Sequence, residues 1–312
     1  MPFRVVVGSF HVVGYSPDGD SIRFQPDDMG HILSLRGGRP RPNARGHVQL
    51  RIEAIDALET HYSLQGGGGS VQQPRGHANG ATDRLLDFVG IKNVVWNAAR
   101  TTIASAEDGT RGYVLTRAAD KFGRPIAFIY PGEPPAPDGS MYHLEPDALR
   151  GSFNLHALSQ GLAYATYYWG LFHDLRDELT TAVVAARAAG RGIYAEDVTT
   201  TGFEVAGMAS LTDDFVIMPK LFRRLSEYIN STGTAIGFKQ ALEASREPVL
   251  ELPDANFTHF DTFVEQQPGS SSLRLTVSPE NLVFDPMPAR PANTFAVVVE
   301  EREREAVAEM LA

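Results

Sequence analysis

The chain has 312 residues, of which 43% are hydrophobic and 21% are charged, and it contains no cysteine. A chain of this length can bury a sizeable core, in one large domain or in two ordinary ones. The sequence has no apolar run of the roughly 20 residues that a membrane span needs, and it opens without the pattern of a secretion signal. The absence of thiols excludes a disulfide framework and thiolate metal sites. We therefore expect a globular, cytoplasmic protein with no membrane partner.

The net charge of −10 argues at first against a polyanionic partner such as nucleic acid. The charge is unevenly distributed, however. Residues 1–200 carry 19 Lys and Arg against 21 Asp and Glu, a net charge of −2, whereas residues 201–312 carry 9 against 17, a net charge of −8. Residues 29–52 contain five arginines and no acidic residue. This basic segment is either a nucleic-acid contact or a solvated turn, and the sequence favours neither.

In chain order, alternating and β-branched patterns predict strands, and apolar residues at helical spacing predict helices. The predicted strands cover 4–15, 21–25, 48–55, 94–96, 113–115 and 126–130, and the predicted helices cover 78–89, 154–162 and 175–189. The first two strands are joined by SPDGD, which consists of turn-forming residues. Several short strands with helices laid across them predict an α+β fold, a five-stranded β-barrel of the OB type with helices.

Residues 200–312 are predicted to form a second, smaller α+β domain after a first domain over 1–199. Segment 197–203 is predicted to be a linker. The predicted helices cover 216–230, 234–245 and 300–311, and the predicted strands cover 272–277, 282–284 and 295–299. No pattern in this region indicates chemistry.

Three short stretches of the first domain hold the groups that phosphodiester cleavage requires. They are Asp18 and Asp20 in SPDGD, Arg51, Asp56 and Glu59 in RIEAIDALET, and Arg124 in DKFGR. The set provides oxygen ligands for a hard cation, two guanidinium groups for a phosphate, and one spare carboxylate. Taken singly, each residue has an ordinary explanation, because aspartates form turns and arginines form surface ion pairs.

Four blocks, in the same order, resemble the thermonuclease (staphylococcal-nuclease-like, SNase) family over roughly residues 5–198. They are SPDGDSIRF, VQLRIEAIDALET, DKFGRPIAFIY, and SQGLAYATYYWG with the following helix that runs into GIYAED. The resemblance implies a Ca²⁺-dependent endonuclease that acts on DNA, with RNA as a second candidate substrate. It also implies that water attacks phosphorus and the 5′ oxygen leaves, which gives 3′-phosphate ends.

The resemblance also implies a role for each residue of the metal site. Asp20, Asp56 and the backbone carbonyl of Ala57 would hold the ion, and such an all-oxygen set suits Ca²⁺ better than zinc. Asp18 would orient a metal-bound water. Ala57 stands where the family usually has threonine, but only the carbonyl oxygen of this residue is needed.

By the same resemblance, Arg51 and Arg124 would bind the non-bridging phosphate oxygens, and Glu59 would activate the attacking water. Lys121 would contact a terminal phosphate of the substrate. Tyr167 and Trp169 would provide an aromatic platform on which bases stack. The alternative for both aromatic residues is packing in the core and at its rim.

Two insertions relative to the family, at 61–77 and 131–143, are expected near the rim of the site, where they could restrict access. The acidic region 200–312 is expected to bind a protein partner, to mediate self-association, or to lie over the cationic face of the nuclease as a brake. A competing hypothesis is a non-catalytic SNase-like module that binds nucleic acid or a protein.

Overall fold

The structure, a computed structural model, describes residues 2–285. Its strands are β1 (Phe3–His11), β2 (Ser21–Pro26), β3 (Arg36–Gly37), β4 (Val48–Ile52), β5 (Ile55–Ala57), β6 (Tyr62–Ser63), β7 (Ser70–Val71), β8 (Lys92–Trp96), β9 (Ile103–Glu107), β10 (Thr110–Ala119), β11 (Pro125–Pro131), β12 (Met141–Tyr142), β13 (Ala163–Ala165), β14 (Tyr167–Tyr168), β15 (Phe203–Glu204), β16 (Pro248–Glu251), β17 (Asn256–His259), β18 (Val264–Glu265), β19 (Ser272–Leu275) and β20 (Leu282–Phe284).

The α-helices are α1 (Met29–Leu33), α2 (Arg75–Phe88), α3 (Pro146–Leu149), α4 (Phe153–Ser159), α5 (His173–Ala188), α6 (Met208–Asp213), α7 (Pro219–Thr232) and α8 (Phe238–Ser245). Short 3₁₀ helices cover Gly192–Ala195, Phe260–Phe263 and Pro279–Asn281. The strand predicted over 295–299 and the helix predicted over 300–311 lie outside the described residues. In residues 2–285, no helix is both long and apolar enough to cross a membrane.

Five strands close into a mixed β-barrel, which confirms the predicted α+β barrel. The strand order is β1, β2, β4, β11 and β10, and β10 pairs with β1 to close the ring. The pair of β4 and β11 is parallel, and the other neighbouring pairs of the ring are antiparallel. Helices α2 and α4 pack beside one another, and α4 packs on β11.

The alternation that predicted one strand over 48–55 is real, but the strand is interrupted. Val48, Leu50 and Ile52 are buried in the barrel. Ala54 then adopts a left-handed backbone conformation with φ of 67°. The chain turns there, and β5 leaves the barrel to pair with β13. The turn separates the two halves of the RIEAIDALET motif and assigns them to different sheets.

The region beyond residue 200 is joined to the barrel part by sheet pairing and by helix packing. Strand β14 of the first region pairs in parallel with β20, in a sheet that continues through β16 and β17. Helix α7 packs against β5. The segment predicted to be a linker is packed as well, because Thr199 is fully buried and Asp197 accepts a hydrogen bond from the Tyr164 hydroxyl at 2.8 Å.

Candidate active site

A cleft of about 1090 Å³ lies between the barrel and α7. It brings together residues that the sequence predicted from widely separated motifs. The predicted residues that line it are Asp18, Asp20, Arg51, Glu59, Lys121, Arg124 and Trp169. Asp56 is fully buried and reaches the cleft through its contact with an arginine described below. Ala57 is buried on β5 beside it.

The DGD turn is fixed by close packing of its glycine. A Cβ atom on Gly19 would lie 2.6 Å from the Cβ of Ala57 and 2.7 Å from that of Ala81. Only glycine therefore allows the turn to pack this tightly against β5 and α2. The packing holds Asp18 and Asp20, on either side of Gly19, next to the end of β5.

Arg51 lies on β4, in register with Ser21 at the start of β2. Its guanidinium carbon lies 5.4 Å from the centroid of the Tyr168 ring. In residues 2–285 this guanidinium has no hydrogen-bond or ion-pair partner. Burial would lower the pKa of Arg51, but the neighbouring Tyr168, Asp20 and Asp56 raise it. Its guanidinium N–H groups at the cleft wall are a ready contact for an anionic ligand.

Arg124 is held by the turn that precedes it. Asp120 accepts hydrogen bonds from the backbone N–H of Arg124 at 2.9 Å and from its side-chain Nε at 2.7 Å. Gly123 has φ of 82°, and a Cβ there would lie 2.1 Å from the carbonyl oxygen of Arg39, so the turn requires glycine. The DKFGR motif thus fixes the direction of the second cleft arginine.

The carboxylates of Asp56 and Glu59 are bound by Arg223, which comes from α7. Arg223 Nη1 donates to Asp56 Oδ1 at 3.1 Å, and Nη2 donates to Asp56 Oδ2 at 2.8 Å. Nη1 also donates to the carboxylate of Glu59. The Asp56 side chain is 0% exposed and the Arg223 side chain is 23% exposed. Arg223 was not among the residues predicted to form the site.

The pKa values of the acidic cluster depend on burial and on the charges nearby. Burial raises the pKa of Asp18, and burial together with the charges of Asp18 and Asp56 raises that of Asp20. Burial also raises the pKa of Glu59 to about 7, although Arg223 acts in the opposite direction. Burial would raise the pKa of Asp56 too, but the charge and hydrogen bonds of Arg223 hold it below its usual value. The carboxylate that Arg223 binds in bidentate fashion is the one with a lowered pKa.

The donor chemistry of this cluster fits Ca²⁺, because the side chains present only oxygen ligands. Their arrangement does not fit it, since both oxygens of Asp56 are bonded to Arg223. Within residues 2–285, no group of three or more His, Asp or Glu side chains is placed to hold a metal ion. In this conformation the cation bound by Asp56 and Glu59 is a guanidinium group.

Aromatic residues line the rim of the cleft, though not all of those predicted. Trp169 is 58% exposed and Phe122 is 69% exposed, and both line the cleft beside Lys121. Tyr167, which was predicted to stack on a base, is fully buried, and its hydroxyl hydrogen-bonds that of Thr180 at 2.8 Å. Its ring therefore has no face free for a ligand, and the tyrosine that lines the cleft is Tyr168.

Helix α7 contributes further charged residues to the cleft, and these too were missed. They are Lys220, Arg224 and Glu227, which together with Arg223 follow helical spacing along one face. Lys220 donates to the Tyr168 hydroxyl at 3.1 Å, and Arg224 pairs with Glu247. The sequence contained a signal for this basic face, because the predicted helix over 216–230 carries its basic residues at these spacings.

The first insertion lies against α7, and the second does not line the cleft. Tyr62 and Gln65 line the cleft, and both donate to Glu227, at 2.9 Å in each case. None of residues 131–143 lines it. The expectation that insertions restrict access therefore applies to 61–77 only. Of the five arginines in residues 29–52, only Arg51 lines the cleft.

Comparison with models of known protein families gives no match, and comparison with curated proteins gives none either. The likeness to thermonucleases therefore rests on the four sequence motifs alone.

Proposed function

We propose that this chain is a calcium-dependent endonuclease of the thermonuclease type, built on an OB-type SNase-like barrel. It hydrolyses phosphodiester bonds in DNA, with RNA as a second candidate substrate, and leaves 3′-phosphate ends. One observation carries the proposal. The side chain of Arg51 lines the same cleft as Arg124 and Glu59, although the three come from different elements.

The proposed roles follow from the chemistry of these groups. Arg51 and Arg124 bind the non-bridging oxygens of the phosphate and offset the negative charge that grows as phosphorus becomes five-coordinate. Glu59 accepts a proton from the attacking water. With Arg223 bound, burial raises the pKa of Glu59 to about 7. In the conformation described here Glu59 is bound to Arg223, so this role requires that contact to open. Calcium is the proposed cofactor of that opened form.

The rim of the cleft supports a single polynucleotide strand as the substrate. Exposed rings of Trp169 and Phe122 offer faces for bases, and Lys121 offers a charge for a phosphate. A strand that lies across this rim brings one phosphodiester towards Arg51. The acidic region beyond residue 200 remains the proposed surface for a protein partner or for self-association.

The proposal is tested by cleavage of plasmid and single-stranded DNA with Ca²⁺ or with a chelator, and by end-group analysis of the products. Arg51→Ala and Glu59→Ala are each expected to lower turnover about 100- to 1000-fold, the usual effect of removing one group that stabilises a transition state. Arg111→Ala is the matched control, because Arg111 pairs with Asp27 outside the cleft. Absence of Ca²⁺-dependent cleavage in both the wild type and Arg223→Gln would refute the proposal.

The second candidate is a non-catalytic module that binds nucleic acid or a protein. It is favoured by the contacts of Asp56 and Glu59 with Arg223, which leave neither of these carboxylates free for a metal ion or an attacking water. A module of this kind binds single strands equally well with and without chelator and never cuts them. Measurement of binding and cleavage on the same oligonucleotide distinguishes the two functions.

A further inference from the structure

Arg223 lies where the acidic cluster needs a cation. Asp56 is fully buried, and its neighbours Asp18, Asp20 and Glu59 all have raised pKa values because of burial and of one another's charges. A buried carboxylate that loses its cationic partner is strongly destabilising. The cluster therefore requires a positive charge at this position, and in this structure the charge comes from a helix more than 160 residues away.

The guanidinium and a metal ion exclude each other at these atoms. Both oxygens of Asp56 accept hydrogen bonds from Arg223, and the same guanidinium binds Glu59. A divalent ion on Asp56 would meet the cationic side chain at contact distance, and like charges repel strongly in a partly buried site. Metal binding therefore requires the withdrawal of Arg223.

Helix α7 is held in place by a buried apolar face and by polar contacts to the first insertion. Glu227 is held by Tyr62 and Gln65, and Asn230 donates to the Gly67 carbonyl at 3.1 Å. Gln73 is fully buried and donates to the Ile217 carbonyl, just before the helix, at 2.8 Å. Because the apolar side chains of α7 are buried in the core, displacement of the Arg223 side chain is the smaller change that would free Asp56.

Gln73 also connects the docking contact to the site itself. Its backbone N–H donates to the Glu59 carbonyl at 2.9 Å, and its side-chain oxygen accepts from the Glu59 N–H at 3.2 Å. The residue that holds the start of α7 thus holds the backbone of Glu59 as well. Gln73 therefore contacts both the backbone of Glu59 and the segment just before α7.

We propose that Arg223 is a tethered inhibitor of the site: its guanidinium occupies the position of a divalent cation on Asp56 and Glu59, and the chain binds Ca²⁺ only where this side chain is displaced or removed. The consequence for cleavage rests on the proposed function, whereas the competition for the carboxylates does not. The predicted brake of the C-terminal region therefore acts on the anionic part of the site, through one arginine, and not over its cationic face.

The test compares Ca²⁺ affinity, measured by isothermal titration calorimetry, in the full-length wild type and in Arg223→Gln. Arg224→Gln is the matched control. It removes the same charge from the next residue of α7, but Arg224 pairs with Glu247 and does not contact Asp56 or Glu59 through a salt bridge. We expect Arg223→Gln to bind Ca²⁺ on the order of 10-fold or more tighter than the wild type, and Arg224→Gln to stay within about 2-fold. Addition of Asp56→Asn to Arg223→Gln should abolish the gain.

Equal affinity in the wild type and Arg223→Gln would overturn the inference, and so would an equal gain in Arg224→Gln. If Arg223→Gln does not fold, Arg223→Lys takes its place, because lysine keeps the charge but cannot hold Asp56 bidentately. Its affinity should then exceed that of the wild type, and an unchanged affinity would again refute the inference.

A DNA cleavage assay on the same proteins separates this inference from the proposed function. Tighter Ca²⁺ binding by Arg223→Gln without cleavage supports the inference and refutes the nuclease. Full Ca²⁺-dependent cleavage by the wild type, with no change of affinity or rate in Arg223→Gln, supports the nuclease and refutes the inhibitor.

Discussion

The ion pair between Arg223 and Asp56 should be among the largest single contributions to the stability of this protein. Arg223→Ala leaves Asp56 with no cation bound to it, and Asp56→Asn leaves Arg223 with only Glu59. Removal of one partner of a buried pair costs about 3–5 kcal/mol, because the other charge stays buried. Since the Arg223 side chain is 23% exposed, we place the cost of either single change near the lower limit, at about 3 kcal/mol.

The double variant should cost less than the sum of the two single variants, because it removes both charges together. We expect a coupling energy of about 2 kcal/mol, within the range for residues in direct contact. Urea unfolding followed by circular dichroism, in chelator, gives the four free energies of the cycle. The chelator matters because bound Ca²⁺ would stabilise the Arg223→Ala protein and hide the loss.

An exposed ion pair of the same chemistry is the control for this cycle. Arg274 pairs with Glu265 at 2.6 Å, and the two side chains are 50% and 47% exposed. Arg274→Ala should cost no more than about 1 kcal/mol. If Arg223→Ala costs no more than Arg274→Ala, the acidic cluster does not depend on a cation from α7, and the physical reasoning behind the inhibitor fails.

Three further predictions concern other parts of the structure. Trp169→Ala should weaken binding of a single-stranded oligonucleotide, measured by fluorescence anisotropy, by about 1–3 kcal/mol, and an unchanged affinity would remove this ring from the proposed platform. Glu280→Ala should lower the unfolding free energy by about 3 kcal/mol, because Glu280 is 3% exposed and binds Arg187 with both oxygens. Gly19→Ala should cost about 1–3 kcal/mol in urea unfolding, since its Cβ would overlap that of Ala57. A variant as stable as the wild type would show that the DGD turn is not packed as described.

The barrel could be predicted from the sequence because its signals are local. Alternating apolar residues and turn-forming residues are properties of five to ten consecutive positions, and the strands of the barrel follow them. The division between β4 and β5 was missed for an equally local reason. The residue with positive φ is Ala54, and alanine gives no warning of a left-handed conformation.

The choice between Tyr167 and Tyr168 could not be made from the sequence. Adjacent residues of a strand face opposite sides, so a difference of one residue exchanges the buried ring for the ring that lines the cleft. That register is set by the parallel pairing of β14 with β20, in which Tyr167 lies opposite Val283. The partner strand is more than 100 residues away and belongs to the region for which the sequence indicated no role.

Arg223 was also missed because its partners are distant in the sequence. The net charge of its region gave a second, misleading indication of what the region contacts. The net charge of −8 in residues 201–312 led to the expectation that this region binds a protein partner, self-associates or covers the cationic face of the nuclease. A net charge describes a region as a whole, whereas contacts depend on which side chains one face presents. The face of α7 at the cleft presents Lys220, Arg223 and Arg224, and it meets the carboxylates of the first region.

If Arg223 and a metal ion compete for the same carboxylates, the fraction of molecules with an open site can be measured from the ratio of two Ca²⁺ affinities. If Arg223 is displaced from the carboxylates in only a fraction of the molecules, the apparent dissociation constant for Ca²⁺ equals the intrinsic constant divided by that fraction. The ratio of the affinities of Arg223→Gln and the wild type therefore estimates how rarely the site is open. A ratio of about 100 would mean that about 1% of the molecules are open, and a partner that displaces Arg223 could then raise activity by at most about 100-fold.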